Sequence, residues 1–97
     1  AGYTRDYLSG TGAYKDYYIS VTDASKPLCI TFIIESWSSS KDFDIYLYNP
    51  SGTQVASSTG TKRQETIMYQ PTVTGQYILR VKSYSGSGYF WFSQSWK

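Results

Sequence analysis

Ninety-seven residues make one domain of common size, long enough to bury about two-thirds of the surface its unfolded chain exposes and so to hold one hydrophobic core. The composition favours a sheet, with 11 Tyr, 3 Trp and 4 Phe and only 16% charged residues, against the roughly 25% usual for soluble domains; Ser, Thr, Tyr and Gly in place of Lys and Glu suit a secreted, extracellular β-domain. The net charge is +2 and the basic residues are scattered, with Lys62-Arg63 the only adjacent pair, which argues against nucleic acid, and no apolar run nears the roughly 18 residues of a membrane helix.

Residues 1–13 carry no sustained period and read as a linker or a loosely docked first strand. Ala1 opens the chain with neither a charged n-region nor an apolar h-region, as expected for a mature product or an excised domain. Seven strand-like runs follow. Tyr14 to Thr22 alternates, with Tyr18 on the face opposite Tyr17, Ile19 and Val21. Leu28 to Glu35 is nearly continuous in apolar residues, as a central strand buried on both faces would be, and Cys29 within it reads as a small buried hydrophobe. Phe43 to Tyr48 points Phe43, Ile45 and Leu47 one way, and Asp42, Asp44, Tyr46 and Tyr48 the other. Asn49-Pro50-Ser51-Gly52 then turns the chain, Pro50 presetting φ and Gly52 tolerating φ > 0.

Gln54 to Ser58 and Glu65 to Tyr69 are short strands. Gln76 to Lys82 alternates, with Tyr77, Leu79 and Val81 inward and Ile78, Arg80 and Lys82 outward. Ser85-Gly86-Ser87-Gly88 reads as a hairpin turn. It leads into Tyr89 to Trp96, where Phe90 and Phe92 face inward and Tyr89 and Trp91 outward. Strands of this length and spacing, with turn residues between them and no helical period, predict an all-β antiparallel sandwich over residues 14–97.

Three candidate chemistries can be weighed on the residues alone. Asp42 and Asp44 leave the same face of one strand, and adjacent carboxylates repel unless a cation or donors neutralise them. Calcium takes six to eight oxygens. Asp42, Asp44 and Glu65 could supply carboxylates, the Ser38–Lys41 loop carbonyls, and Asp6 or Asp16 a further ligand. The competing reading has Asp42 capping the preceding loop and Asp44 paired with Arg63 or Arg80. The aromatics Trp37, Tyr89 and Trp91 could form a stacking platform for sugar rings, or could pack on a linker, a neighbouring domain or each other. Catalysis is not expected: a histidine-dependent nucleophile has no histidine, zinc has one cysteine and no histidine to bind it, and the chain is too small to build a glycosidase cleft around the Asp pair.

The run Asp42-Phe43-Asp44-Ile45-Tyr46-Leu47-Tyr48-Asn49-Pro50-Ser51-Gly52 resembles the signature strand and turn of the bacterial pre-peptidase C-terminal domain. The run from Thr74-Gly75-Gln76-Tyr77 to Tyr84-Ser85-Gly86-Ser87-Gly88 resembles that family's later strand pair, and Tyr17-Tyr18-Ile19-Ser20-Val21 its opening strand. The resemblance spans roughly residues 14–96. It implies a β-sandwich of jelly-roll type, with about seven to eight strands, that follows the catalytic domain of a secreted protease, especially a subtilisin-like or zinc protease, with the subtilisin-like versions the most similar. It also implies a non-catalytic role: stabilising the parent enzyme, with calcium bound in some members, or holding it on insoluble protein or polysaccharide. Glu65 matches an acidic position common in the family. The expected partner is the parent catalytic domain in the same polypeptide, with no nucleic acid and no membrane, and the expected state is a monomer. The alternative is a carbohydrate- or insoluble-substrate-binding module built on Trp37, Tyr89 and Trp91.

Overall fold

A computed structural model describes residues 3–96, apart from the side chain of Trp96. Eight strands run in chain order: β1 (Tyr3–Leu8), β2 (Tyr14–Val21), β3 (Leu28–Ile34), β4 (Asp42–Tyr48), β5 (Gln54–Ser58), β6 (Gln64–Tyr69), β7 (Gly75–Ser85) and β8 (Gly88–Trp96). They form two antiparallel four-stranded sheets, ordered β1-β8-β3-β6 and β2-β7-β4-β5. Successive strands alternate between the sheets except where β4 hands on to β5, which is jelly-roll connectivity. No helix occurs among the described residues.

Period-two patterning assigns the faces. Phe43, Ile45 and Leu47 of β4 meet Tyr77, Leu79 and Val81 of β7 inside the sandwich, opposite Leu28, Ile30, Phe32 and Ile34 of β3 and Phe90 and Phe92 of β8. Burying side chains of this size contributes about 1.5–3 kcal/mol each before the entropy of ordering them. Tyr77 is fully buried and its hydroxyl donates to the Val73 carbonyl at 2.7 Å, so its polar tip is satisfied. The Asn49–Gly52 turn forms as the sequence suggests. The Asn49 side chain accepts from the Ser51 and Thr53 amides, and Gly52 sits at φ 86°.

Three expectations change. Tyr3–Leu8 pairs with β8 over six positions and buries Leu8 in the core, so the domain takes in residues that the sequence reading placed in a linker or a loosely docked strand ahead of residue 14. Ala1, Gly2 and Lys97 lie outside the described residues. Strand β3 is central but not buried on both faces: Thr31 is exposed, and Cys29 and Ile33 are half-buried on its outer side. Cys29 is therefore an outward-facing residue and not a core hydrophobe. Finally, Gly86-Ser87 is not a hairpin within one sheet, because β7 and β8 belong to different sheets; the segment carries the chain across the sandwich.

Candidate functional site

Where the chain passes from β5 in one sheet to β6 in the other, it gathers carboxylates. Asp42 and Asp44 open β4, and Glu65 lies one residue into β6 on its inward face. Strand β5 pairs with β4 only from Ile45 onward. The edge of β4 beside Asp44 is instead met by the β5–β6 loop, whose Gly60 amide donates to Asp44 Oδ1 at 3.3 Å. The Ser58 hydroxyl donates to Glu65 Oε1. Asp44 and Glu65 are each only 6% exposed. Asp42 Oδ1 and Glu65 Oε2 are buried without a hydrogen-bond partner.

The electrostatics follow from that crowding. Burial, and then the charge of Asp42, push the Asp44 carboxyl up to about 6; the Asp42 carboxyl within hydrogen-bonding reach and the charge of Glu65 act the same way, against the Gly60 amide. Neither basic partner weighed from sequence reaches Asp44. Arg80 makes a two-pronged pair with Asp16 at 2.8 and 3.0 Å, and Arg63 Nε donates to the Ile34 carbonyl at 3.4 Å.

As the side chains stand, no group of three or more Asp, Glu, Cys or His among the described residues is already arranged to hold a metal ion. The donor chemistry nevertheless fits a hard cation: all three groups are carboxylates, and two of their buried oxygens lack a donor. Asp6 and Asp16, considered as further ligands, are committed elsewhere. Asp6 accepts from Lys15 Nζ and the Tyr17 hydroxyl, each at 2.7 Å, which holds its carboxyl below the usual range, and Asp16 is held by Arg80. Of the loop carbonyls, that of Ser40 accepts from the Ser85 hydroxyl at 3.1 Å.

The aromatic candidates lie on and beside the outer face of the β1-β8-β3-β6 sheet. Tyr89 and Trp91 face outward as their alternation requires, and the rings that meet them come from β1: Tyr7 packs on Tyr89 with centroids 4.9 Å apart, and Tyr3 meets Trp91 edge-on at 6.4 Å. Arg5 lies between these pairs, its guanidinium 3.9 Å from the Tyr89 centroid and 5.6 Å from that of Trp91. A two-pronged bond fixes Arg5 to Glu35 at 3.0 and 2.8 Å, and Trp91 Nε1–H donates to the same carboxylate at 2.9 Å. The Arg5 fork first, and then Trp91, hold Glu35 at about 2. Trp37, the third candidate, is 40% exposed in the β3–β4 loop. Sequence reading missed Tyr3, Arg5, Tyr7 and Glu35. The signal was present as the alternation of Tyr3, Arg5 and Tyr7, which a strand assignment for residues 3–8 would have placed on one face.

Comparison with known proteins places these features in a family. The sequence model described as Bacterial pre-peptidase C-terminal domain matches residues 13–83. Among solved structures, the pre-peptidase C-terminal domain of a collagenase from Bacillus anthracis superposes with a TM-score of 0.76 at 19% identity, covering 97% of this chain and 88% of that one. PliG, a periplasmic inhibitor of g-type lysozyme from Aeromonas hydrophila, superposes at 0.71 and 11% identity, covering 99% and 85%. The carbohydrate-binding module CBM36, solved in complex with calcium and xylotriose, gives 0.52 at 13% identity, covering 98% and 89%. At these identities the structural likenesses speak for the fold.

Proposed function

The chain belongs to the bacterial pre-peptidase C-terminal domain family, and on that premise we propose that it is a non-catalytic accessory domain of a secreted protease, joined to the catalytic domain in one polypeptide and stabilised by calcium. The collagenase domain from Bacillus anthracis supports the protease context, since it shares this fold and is named for the same family. The observation that carries the calcium reading is the junction of Asp42, Asp44 and Glu65, where three carboxylates are crowded against one another and two buried oxygens have no donor. These three side chains would hold the ion. Bound there, calcium supplies positive charge that offsets the mutual repulsion of the carboxylates. A cation taken up only by the folded state stabilises it by mass action, and an accessory domain that stays folded outside the cell serves its parent enzyme. Calorimetric melting in millimolar calcium and then in excess chelator tests this. A lower melting temperature in chelator is expected, and identical curves would remove calcium from the function.

A second reading rests on a different observation. The outer face of the β1-β8-β3-β6 sheet presents Tyr3, Tyr7, Tyr89 and Trp91 around a fixed arginine, a mixture of ring faces and oriented donors of the kind that binds sugar rings. Retention on chitin, cellulose, starch or collagen, lost on Tyr89→Ala or Trp91→Ala, would support attachment to insoluble substrate. Failure to bind any matrix would leave the stabilising role alone.

A further inference from the structure

Charge is unevenly displayed on this domain. Of the seven Asp and Glu residues, Asp44 and Glu65 are buried and the other five are half-buried. Lys62, Arg63 and Lys82, by contrast, stand exposed and form no ion pair among the described residues. A net charge of only +2 therefore conceals a solvent-facing surface that is cationic, and such a surface draws anions. The ring-bearing face of the β1-β8-β3-β6 sheet follows the same pattern. No outward position of its four strands carries a carboxylate, and Glu35, which borders it, is taken up by Arg5 and Trp91.

Arg5 is placed to receive an anion on this face. A guanidinium carries its N–H donors in one plane, and more of them than a single carboxylate can use. Glu35 takes Nε–H and one hydrogen of Nη2. The other edge of the fork, Nη1 with the second Nη2 hydrogen, has no partner among the described residues. The Arg5 side chain is 42% exposed, and the Tyr89 ring 3.9 Å away fixes its plane. A second carboxylate on that edge would complete a planar two-pronged pair without the ordering cost of a mobile arginine. We infer that the face binds an acidic polysaccharide, the carboxylate of a uronic acid unit on the free edge of Arg5 and adjoining sugar rings on Tyr3, Tyr89 and Trp91. This rests on the sugar-binding reading above and narrows it. The rings alone would serve any sugar, whereas a fixed cation fork with no carboxylate left over beside it favours a ligand that brings its own negative charge.

The test is titration calorimetry of the intact chain with polygalacturonate, alginate and hyaluronate, each beside its methyl ester, and with dextran sulfate and neutral soluble starch. At least one uronate polymer should bind, and its methyl ester should bind about 10-fold more weakly or worse, the scale of a hydrogen-bonded charge pair. Arg5→Lys keeps the net charge but not the planar fork, and should lose a similar factor. Tyr3→Ala, at a position 76% exposed, should lose about 3-fold through its ring alone. Melting curves check that both variants are folded. If ester or starch binds as well as the acid, the rings take sugar without reading charge, so the inference is overturned while the sugar reading survives. If dextran sulfate binds as tightly, and Lys62→Gln with Arg63→Gln costs as much as Arg5→Lys, diffuse attraction replaces the fork and the inference falls. If no polymer binds, acidic or neutral, both fall.

Discussion

Asp44 on β4 and Glu65 on β6 belong to opposite sheets, yet they come together where the β5–β6 loop crosses between those sheets, and the charge of Glu65 helps keep the proton on Asp44. Calcium should convert this repulsion into a tie. At 100 times its Kd a ligand of the folded state adds about 2.7 kcal/mol. At about 4–8 °C per kcal/mol for a domain of this size, the melting temperature should rise by roughly 10–20 °C between chelator and saturating calcium. Asp44→Asn and Asp42→Asn should each remove most of that rise while leaving the chelator melting temperature equal or higher, since each removes a crowded charge. Calorimetry of the three proteins under both conditions checks this.

The same junction sets a pH dependence whose sign is opposite to that of ordinary surface carboxylates. The folded-state value of Asp44, about 6, lies above its usual 3.8. Between those values the folded chain holds a proton that the unfolded chain has released, so in chelator stability should fall as pH rises from about 4 to about 6. Calcium displaces that proton, so in saturating calcium the fall should disappear or reverse. Glu35, held at about 2, acts in the opposite sense lower down: its contribution is full above the usual carboxylate range and fades as pH drops toward 2. Urea melts at half-unit pH steps separate the two, with Asp44→Asn flattening the upper window and Glu35→Gln reducing the lower one, to which Asp6 also contributes.

The sequence made much of this architecture legible, and the failures have physical causes. The alternation in β4, β7 and β8 was readable because one face of each is buried and period two is strict there. The grouping of Asp42 and Asp44 follows from the same rule, and the addition of Glu65 came from its placement near a strand start together with the family pattern. Residues 1–13 left a linker and a loosely docked first strand both open, because an edge strand with mostly polar or exposed residues gives little hydrophobic signal, and only Leu8 is deeply buried. The Arg80–Asp16 pair joins residues 64 positions apart, and nothing local distinguishes that partner from Asp44. Turn chemistry predicts a hairpin at Ser85–Gly88 because it reports that the chain reverses, not which sheet receives it.

Arg80 offers a test of how much a cross-strand ion pair contributes on a solvent-facing sheet. Asp16 and Arg80 are register partners on β2 and β7, joined by two bonds, and the guanidinium stacks 4.3 Å from the Tyr14 centroid and 5.3 Å from that of Tyr48. The pair is partly exposed, so the ionic part should be small, about 0.5–1 kcal/mol. Stacking on two rings should add about as much again. A double-mutant cycle of Asp16→Ala with Arg80→Ala reports the ionic part, and one of Tyr14→Ala with Arg80→Ala the stacking. Arg80→Lys should recover little of either, because an ammonium cannot reproduce the planar fork. If the lysine variant matches wild type in stability, geometry is irrelevant and only charge matters.

Gly86 and Gly52 share nearly the same left-handed backbone, at φ 84° and 86°, so replacing either with alanine incurs the same conformational cost of about 1–2 kcal/mol. Their surroundings differ. A Cβ at position 52 meets open space, whereas one at 86 would lie 2.7 Å from the Ser40 carbonyl oxygen and 3.3 Å from Lys41 Cα, both backbone atoms. Gly86 is further fixed by its amide on Thr11 Oγ1 at 3.1 Å and by its carbonyl under the Ser83 hydroxyl at 2.6 Å, so the crossing between sheets has little room to shift. Gly86→Ala should therefore destabilise the domain by clearly more than Gly52→Ala, with the excess about 1–3 kcal/mol of overpacking. Displacing Ser40 and Lys41 would also disturb the approach to Asp42, so Gly86→Ala should weaken the calcium response as Gly52→Ala does not. Chemical denaturation of the two variants with and without calcium measures both effects. Equal losses would mean that the β3–β4 loop moves freely and that the crossing is not held where it stands.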